Sequence, residues 1–270
     1  MMAWKIIPLM FGWIEVPKHL LTTGLDAELM IKFLYLGFYL TNGKDRVLID
    51  NGINCRYIVN GKAWAGMYAE GGEHLIFNAF KRINVSLNDI DTVIYTHLHN
   101  DHVGNCHLFP KARHVFQYDE WIELLDPLPS MRIRGDYDQS VIEVLRNMRC
   151  ERVVGDVEYM RGLYLMLTPG HTAGSQCIVV EAEYGAKYLI AGDTVHIRHI
   201  AYGYLEEMEL MDGAVIKVTP APKEWCEIAH SSLVYDHYAW YRSVYKIRSM
   251  FKDPQYVLTG HGPYLVNKEF

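Results

Sequence analysis

What the sequence lacks already excludes several classes of protein. Its formal net charge is −6, and this absence of a basic surplus disfavours nucleic acid as the main partner. Its five cysteines are scattered, odd in number and without a C-x-x-C pair, which indicates reduced cytoplasmic thiols rather than a disulfide framework. Its longest apolar run, residues 33–40, is far shorter than the roughly 20 residues that span a bilayer. We therefore expect a cytoplasmic protein that binds neither nucleic acid nor a membrane.

A secretion signal and a disordered chain are disfavoured as well. Residues 1–11 lack a charged start, a long apolar stretch and a small-residue cleavage site, so we expect no signal peptide. Hydrophobic residues make up 50% of the 270-residue chain, which is enough to build a sizeable core. A chain of this length forms one large α/β domain or two small ones.

The most informative segment is residues 96–102, THLHNDH, which directly follows the apolar run TVIY. Imidazole nitrogens and carboxylate oxygens suit Zn²⁺ and related transition metals. The apolar run predicts a short buried strand, so the cluster would lie where that strand becomes a loop. His97 and His99 are two residues apart and point to the same side of an extended segment, while Asp101 and His102 follow a turn. One loop can therefore supply ligands to two adjacent metals, and the density of the cluster disfavours the alternative of a polar loop rich in histidine by chance.

Three further candidate ligands share one sequence context, in which an apolar run is followed by a glycine and then by a metal-type side chain. They are His171, Asp193 and His261. Each alone is a weak signal, because a single histidine after a strand is more often structural. Together with residues 96–102 they form a constellation typical of a metal site. Because these ligands are spread from residue 97 to residue 261 and must converge, we expect a single domain over residues 1–270.

The order of these ligands resembles that of a known family. The pattern His97-x-His99-x-Asp101-His102, followed by His171, Asp193 and His261, resembles the metallo-β-lactamase superfamily of dinuclear metal hydrolases. Residues 88–105 and 168–176 are most similar to the N-acyl-homoserine lactonase branch. The resemblance implies an α/β fold, an αββα sandwich of two mixed β-sheets flanked by helices.

The resemblance also implies a division of the ligands between two divalent metal ions, for which zinc is the first choice. One ion would be bound by His97, His99 and His171, the other by Asp101, His102 and His261, with Asp193 bridging both. Two such ions about 3.5–4 Å apart hold a shared water and lower its pKa toward 7. The expected reaction is the opening of a lactone ring, in an N-acyl-homoserine lactone or a related small lactone, by attack of the bridging hydroxide. Asp101 is the natural proton carrier to the leaving alkoxide.

Two more residues receive candidate roles. Asp50, in the strand and turn of residues 47–52, can accept the free ring N–H of a ligating histidine, although it can also be an ordinary turn carboxylate. Homoserine lactonases usually carry a tyrosine three residues after the bridging aspartate, placed to hydrogen-bond the substrate carbonyl, and His196 has that position here. Histidine can donate the same hydrogen bond, so we expect His196 to contact the substrate carbonyl rather than a metal. The alternatives are Tyr202 or Tyr204 in this role, and a surface histidine without one.

Three other functions fit the sequence less well than a lactonase does. A glyoxalase-II-like thioesterase or another ester hydrolase is the second candidate, but the isolated Lys252 and Lys268 form no basic cluster for glutathione. Flavo-diiron redox relatives place a glutamate between the first two ligands, where this chain has Leu98, His99 and Asn100. A signalling or binding protein that keeps the fold is disfavoured by the complete ligand set. The expected partner is a small lactone or ester, and a homodimer is left open.

The remaining sequence predicts alternating strands and helices around these motifs. Helices are predicted over residues 72–82, from Asp119 with acids in its first turn to the break at Asp126, over 140–148 and over 238–251. The first fifty residues are interpreted as short strands separated by turns, and residues 130–161 as a partly helical, solvated flank. Residues 57–80 are expected to begin with an aromatic lid or loop. Residues 201–229, rich in aromatic and methionine side chains, are expected to wall a substrate pocket.

Overall fold

Two stacked β-sheets form the centre of the structure, a computed structural model that describes residues 3–270. The strands are β1 (Lys5–Pro17), β2 (Met30–Thr41), β3 (Arg46–Ile49), β4 (Ala69–Gly71), β5 (Thr92–Ile94), β6 (Arg113–Gln117), β7 (Arg149–Val153), β8 (Val157–Met160), β9 (Leu163–Leu167), β10 (Gln176–Glu181), β11 (Lys187–Ile190), β12 (Glu207–Glu209), β13 (Val215–Lys217) and β14 (Val257–Leu258). The larger sheet has the order β4-β1-β2-β3-β5-β6-β7 and the smaller one β14-β11-β10-β9-β8, while β12 and β13 form a separate hairpin. The expectation of no signal peptide includes Met1 and Met2, which lie outside the described residues.

Both sheets are mixed. In the larger sheet β1, β2, β3 and β4 pair antiparallel, whereas β3, β5, β6 and β7 pair in parallel. In the smaller sheet only the β11–β14 pair is parallel. Parallel neighbours end at the same edge of a sheet, so the loops that follow β11 and β14 meet at one edge of the smaller sheet.

Helices lie between the strands along the chain. They are α1 (Glu73–Arg82), α2 (Asn100–Val103), α3 (Tyr118–Leu125), α4 (Pro129–Arg134), α5 (Val141–Arg146), α6 (Arg198–Ala201) and α7 (His237–Met250). The predicted ends of α1, α3, α5 and α7 lie within two residues of those observed. No helix among residues 3–270 combines the length and the apolar character needed to cross a membrane.

Three buried clusters separate the layers. Side chains of both sheets, such as Leu36 and Phe38 of β2 and Ile178 of β10, interdigitate in one cluster between the sheets. A second cluster packs α1 and α3 on the outer face of the larger sheet, and a third packs α7 on the smaller one. Helix, sheet, sheet and helix therefore follow one another, which confirms the predicted αββα sandwich.

The expectation of short strands in the first fifty residues is wrong. β1 and β2 are 13 and 12 residues long and pair along their whole length, with one bulge between Met10 and Gly12. Gly37 interrupts the apolar pattern of β2 because the Phe11 ring lies against it, and a Cβ there would come within 2.2 Å of that ring. A glycine that admits a neighbouring side chain resembles a turn signal in the sequence.

The interpretation of residues 130–161 as a solvated flank is only partly right. The segment contains α4 and α5, but it also contributes β7 to one edge of the larger sheet and β8 to one edge of the smaller sheet. Edge strands expose one side to solvent and carry charged residues, as Arg149, Glu151 and Arg152 of β7 do. Their charge hides the strand pattern in the sequence.

Candidate metal centre

All four ligand-bearing loops begin where a strand ends. Residues 96–102 follow β5, His171 follows β9, Asp193 follows β11 and His261 follows β14. The glycines of these loops allow close approach: a Cβ on Gly260 would lie 2.7 Å from Asp193 Oδ1, and one on Gly170 would lie 2.4 Å from Trp240. The sequence pattern of strand, glycine and ligand therefore has a steric cause.

Asp193 lies at the centre of the site, and its two carboxylate oxygens face different histidines. Oδ1 lies 2.7 Å from Nε2 of His261 and 3.3 Å from Nε2 of His102. Oδ2 lies 3.4 Å from Nε2 of His171 and 3.8 Å from Nε2 of His97. A carboxylate placed in this way can bind two ions at once, which a single imidazole nitrogen cannot do.

The two remaining candidate ligands complete the two groups. Nδ1 of His99 lies 3.0 Å from Nε2 of His171, so one ion can reach both, since Zn–N distances are about 2.0–2.1 Å. Oδ2 of Asp101 lies 3.8 Å from Nε2 of His102 and 4.0 Å from Nε2 of His261. The structure thus brings together all seven side chains that the sequence singles out as candidate ligands. Their ligand atoms form overlapping groups of three, among them His97, His99 and His171, and Asp101, His102 and His261; a further group joins His196 to His171 and Asp193.

The buried atoms of this site fit metal ions better than they fit one another. Nε2 of His97, His102 and His261 and Oδ1 of Asp193 are buried, and none finds a hydrogen-bond partner among residues 3–270. Even the 2.7 Å contact between His261 and Asp193 lacks the geometry of a hydrogen bond. Because buried polar atoms are nearly always paired, this cluster of unpaired nitrogen and oxygen atoms matches a site for two divalent cations.

Burial also favours the neutral imidazoles that metals require. It is the main cause that lowers the pKa of His97 and of His99 well below the ordinary value and the pKa of His171 to about 3. Neutral imidazole has a free lone pair for a metal, so no proton has to be displaced from these three side chains near pH 7.

The outer ring nitrogens of three histidines are held by oxygen acceptors. Nδ1 of His102 lies 2.8 Å from Oδ2 of Asp50, that of His171 lies 2.6 Å from the carbonyl oxygen of Leu233, and that of His261 lies 2.6 Å from the carbonyl oxygen of Leu34. Since these oxygens only accept, each Nδ1 carries a hydrogen, and in the neutral form of each ring Nε2 keeps its lone pair. The prediction that Asp50 accepts the ring N–H of a candidate ligand is confirmed as a contact.

We expect Asp50→Asn to weaken binding of one metal ion about 10–100-fold. The carboxylate of Asp50 also accepts hydrogen bonds from the backbone N–H and the hydroxyl of Thr96, at 2.8 and 2.7 Å, so it fixes both the loop and the His102 tautomer. Competition between the protein and a chelator for Zn²⁺ measures the effect. Asp45→Asn, at the other end of β3, is the matched control, and equal zinc affinity in Asp50→Asn and the wild type would contradict the role of Asp50.

A buried glutamate that sequence reasoning missed connects two of the ligand loops. Glu120 of α3 accepts hydrogen bonds from the backbone N–H of Leu98 at 2.8 Å, the hydroxyl of Tyr137 at 2.8 Å and the hydroxyl of Thr172 at 2.6 Å. Burial, with the nearby Glu123 carboxylate, raises the pKa of Glu120 to about 7. In the sequence Glu120 is one of the acids in the first turn of a predicted helix. Only its hydrogen bonds to two loops in the structure distinguish it from the other acids of that turn.

A pocket opens beside the candidate ligands and has largely apolar walls. They include Ile14, Val16, Leu21, Phe33, Ile53 and Leu233. The expected aromatic loop contributes Tyr57 and Trp64, whereas no residue of 201–229 is part of the lining, so the expectation for that segment is wrong. Its apolar side chains Ala201, Met208 and Ile228 are buried in the core beneath the smaller sheet instead.

His196 lines the pocket and is fully buried, which excludes the surface-histidine alternative. Its Nε2 lies 3.3 Å from Oδ2 of Asp193, and neither ring nitrogen finds a hydrogen-bond partner among the described residues. The alternative that Tyr202 or Tyr204 takes this role is wrong, because neither lines the pocket. The hydroxyl of Tyr202 donates to the carbonyl oxygen of Phe251, and Tyr204 is 43% exposed. Tyr35, a buried residue of β2 that sequence reasoning missed, brings a phenol to the pocket instead.

The family of the chain follows from a family model. The model described as the metallo-beta-lactamase superfamily matches residues 36–261, which include all seven candidate ligands. The chain belongs to the metallo-beta-lactamase superfamily.

Known proteins with similarity to this chain include several lactonases. An N-acyl homoserine lactonase of Bacillus cereus is 26% identical over 168 residues, which cover 60% of this chain and 64% of that relative, less than two thirds of its length. A B. thuringiensis AiiA variant solved with N-decanoyl-L-homoserine at its active site has a TM-score of 0.74 at 19% identity, covering 97% of this chain and 94% of the other. AidC, a dizinc quorum-quenching lactonase, has a TM-score of 0.69 at 14% identity, covering 97% and 88%. The structures show a shared fold.

Proposed function

We propose that this chain is a dinuclear metal-dependent hydrolase that opens the ring of an N-acyl-homoserine lactone or a related small lactone. The observation that carries the proposal is the placement of Asp193, whose two oxygens face two separate groups of histidines beside an apolar pocket. The lactonases among the relatives favour a lactone as the substrate. Zinc as the metal, a role in quorum quenching and a cytoplasmic location belong to the same proposal.

The ligands divide into two sets with one shared member. His97, His99 and His171 would hold the first ion, Asp101, His102 and His261 would hold the second, and Asp193 would be shared between them. When bound, the two ions supply a water of lowered pKa and polarise the scissile carbonyl. The chain's own part is to bury the histidines, to hold Nδ1 of His102, His171 and His261 against oxygen acceptors, and to offer the apolar wall that accepts the acyl tail of the substrate.

Asp101 holds and delivers a proton. Its carboxylate lines the pocket and its side chain is 19% exposed, so a substrate can reach it, while the other candidate ligands are almost fully buried. In lactone opening the bond between the carbonyl carbon and the ring oxygen breaks, and the leaving oxygen must gain a proton. Asp101, one of the carboxyl groups at the pocket wall, would take up the proton that the attacking water releases and pass it to this leaving oxygen, so that the protons balance.

His196 donates a hydrogen bond to the substrate carbonyl. We expect His196→Ala to keep its metal. Its loss of kcat/KM should correspond to roughly 1–3 kcal/mol of transition-state stabilisation, the contribution of a hydrogen bond to a polarised group. His196→Tyr should restore part of the loss. Steady-state kinetics and metal analysis of both variants test this role. Unchanged kinetics in both would remove His196 from the reaction, and loss of metal from His196→Ala would make it a ligand.

A hydrolysis panel on the metal-loaded protein tests the proposed function. The panel contains N-acyl-homoserine lactones, an S-acyl glutathione thioester and a phosphodiester. We expect lactone hydrolysis to exceed phosphodiester hydrolysis by orders of magnitude, because the acidic chain has no basic surplus for phosphate. Preferred cleavage of the thioester would favour the thioesterase alternative, and preferred cleavage of the phosphodiester would contradict the proposal.

A further inference from the structure

A single cation, Arg134, stands on the pocket wall next to the candidate ligands. It is the last residue of α4, and it lines the pocket together with Asn100, Asp101 and Asp136. His99, one of the candidate ligands, lines the same pocket. The guanidinium therefore lies near the place where a bound substrate would react.

Two aromatic rings hold this guanidinium in place. Its central carbon lies 5.3 Å from the centre of the Trp64 ring and 5.6 Å from that of Tyr235. Contacts of this kind fix a guanidinium by cation–π attraction and leave its N–H groups free to donate. Trp64 itself lines the pocket, so the group is held at the pocket surface.

Among residues 3–270, the guanidinium of Arg134 donates no hydrogen bond. Its Nε is buried and has no hydrogen-bond partner among residues 3–270, and its ion pair with Asp136 is a contact of 3.4 Å from Nε to Oδ1. Asp136 accepts its hydrogen bond from the hydroxyl of Tyr235 instead. A buried donor without an acceptor is costly, and a substrate oxygen would remove that cost.

We propose that Arg134 is a specificity-determining residue that donates a hydrogen bond to a neutral carbonyl oxygen of the substrate, the amide carbonyl that joins an acyl tail to the lactone ring. The inference rests on the proposed lactonase function and deepens it. It places the scissile carbonyl at the metal centre, the amide oxygen at Arg134 and the tail along the apolar wall.

A neutral acceptor fits this place better than an anion does. The Asp136 carboxylate already lies beside Arg134 and offsets its charge, and Asp101 adds a second carboxylate to the same wall. A carboxylate on the substrate would meet this negative charge, whereas an amide oxygen needs only the donor.

Two matched lactones distinguish a hydrogen bond from Arg134 to the amide oxygen from a general effect of Arg134 on activity. One is N-hexanoyl-homoserine lactone, and the other is a γ-butyrolactone with an alkyl chain of the same length in place of the amide. Arg134→Met removes the donors but keeps an apolar stem against Trp64. Arg132→Met, on the exposed side of the same helix, is the matched control and should behave as the wild type. A third lactone, with a tail that ends in a carboxylate, tests the anionic alternative.

We expect Arg134→Met to lower kcat/KM for the N-hexanoyl lactone about 10–100-fold more than for the alkyl lactone, mainly through KM, which is the effect of a lost hydrogen bond to a charged donor. Arg134→Lys should restore part of the loss. The affinity for the ring-opened product, N-hexanoyl-homoserine, can be measured by calorimetry without turnover. It should fall by the same factor as kcat/KM for the N-hexanoyl lactone. Metal content should not change.

The outcomes separate this inference from the proposed function. Equal losses on both lactones, or no loss on either, would overturn the role of Arg134 and leave the lactonase proposal standing. A larger loss on the carboxylate-bearing lactone would also overturn it, in favour of an anion site. Failure of the wild type to hydrolyse any lactone would overturn the proposed function, and the inference with it.

Discussion

Replacing Asp101 with asparagine is expected to lower kcat for lactone opening about 10²-fold or more, in line with general acid–base contributions. Asparagine keeps the size of the side chain but carries no proton to deliver to the leaving oxygen, and it removes a charged ligand 3.8 Å from Nε2 of His102. Single-turnover kinetics of the metal-loaded variant measure the chemical step directly.

Metal content distinguishes the loss of the proton carrier from the loss of a metal ligand in Asp101→Asn. If Asp101→Asn binds both ions and is still slow, the proton path is responsible, whereas loss of one ion would assign the effect to ligation. Asp119→Asn, an exposed carboxylate in the first turn of α3, is the matched control. Near-normal turnover in Asp101→Asn would mean that the proton carrier is another group.

Removal of the metals is expected to have the largest effect, a loss of activity by several orders of magnitude. Water has a pKa of about 15.7 on its own and about 7 on a metal, so chelation removes the hydroxide equivalent available at neutral pH. Activity after dialysis against a chelator, and its return as Zn²⁺ is added back, measure the dependence. Far-ultraviolet circular dichroism of the chelated protein is the control for folding. Full activity in a protein freed of metal would contradict the proposal.

The candidate ligands could be predicted from the sequence because each depends on a local pattern. A ligand follows a strand and a loop, and Gly170 and Gly260 are needed there for steric reasons. The ends of α1, α3, α5 and α7 are predicted within two residues of the observed ends for the same reason, because helical periodicity and helix breaks depend on residues close together in the sequence.

The parts that could not be predicted depend on contacts between distant segments. Glu120 accepts hydrogen bonds from Leu98 and Thr172 in two different loops, 22 and 52 residues away along the chain, and nothing in α3 itself indicates this. Tyr35 and Arg134 reach the pocket only through the order of the strands and the end of α4. Residues 201–229 were assigned to the pocket on composition alone, which does not distinguish a pocket wall from a core. A single domain over residues 1–270 stays a prediction.

The central claim is that seven side chains hold two metal ions. Elemental analysis of the purified protein, expressed as moles of transition metal per mole of chain, tests it most directly. We predict a ratio close to two, with zinc as the main element, since the two oxygens of Asp193 face different histidines. A ratio well under one in a preparation with full lactone turnover would contradict the account.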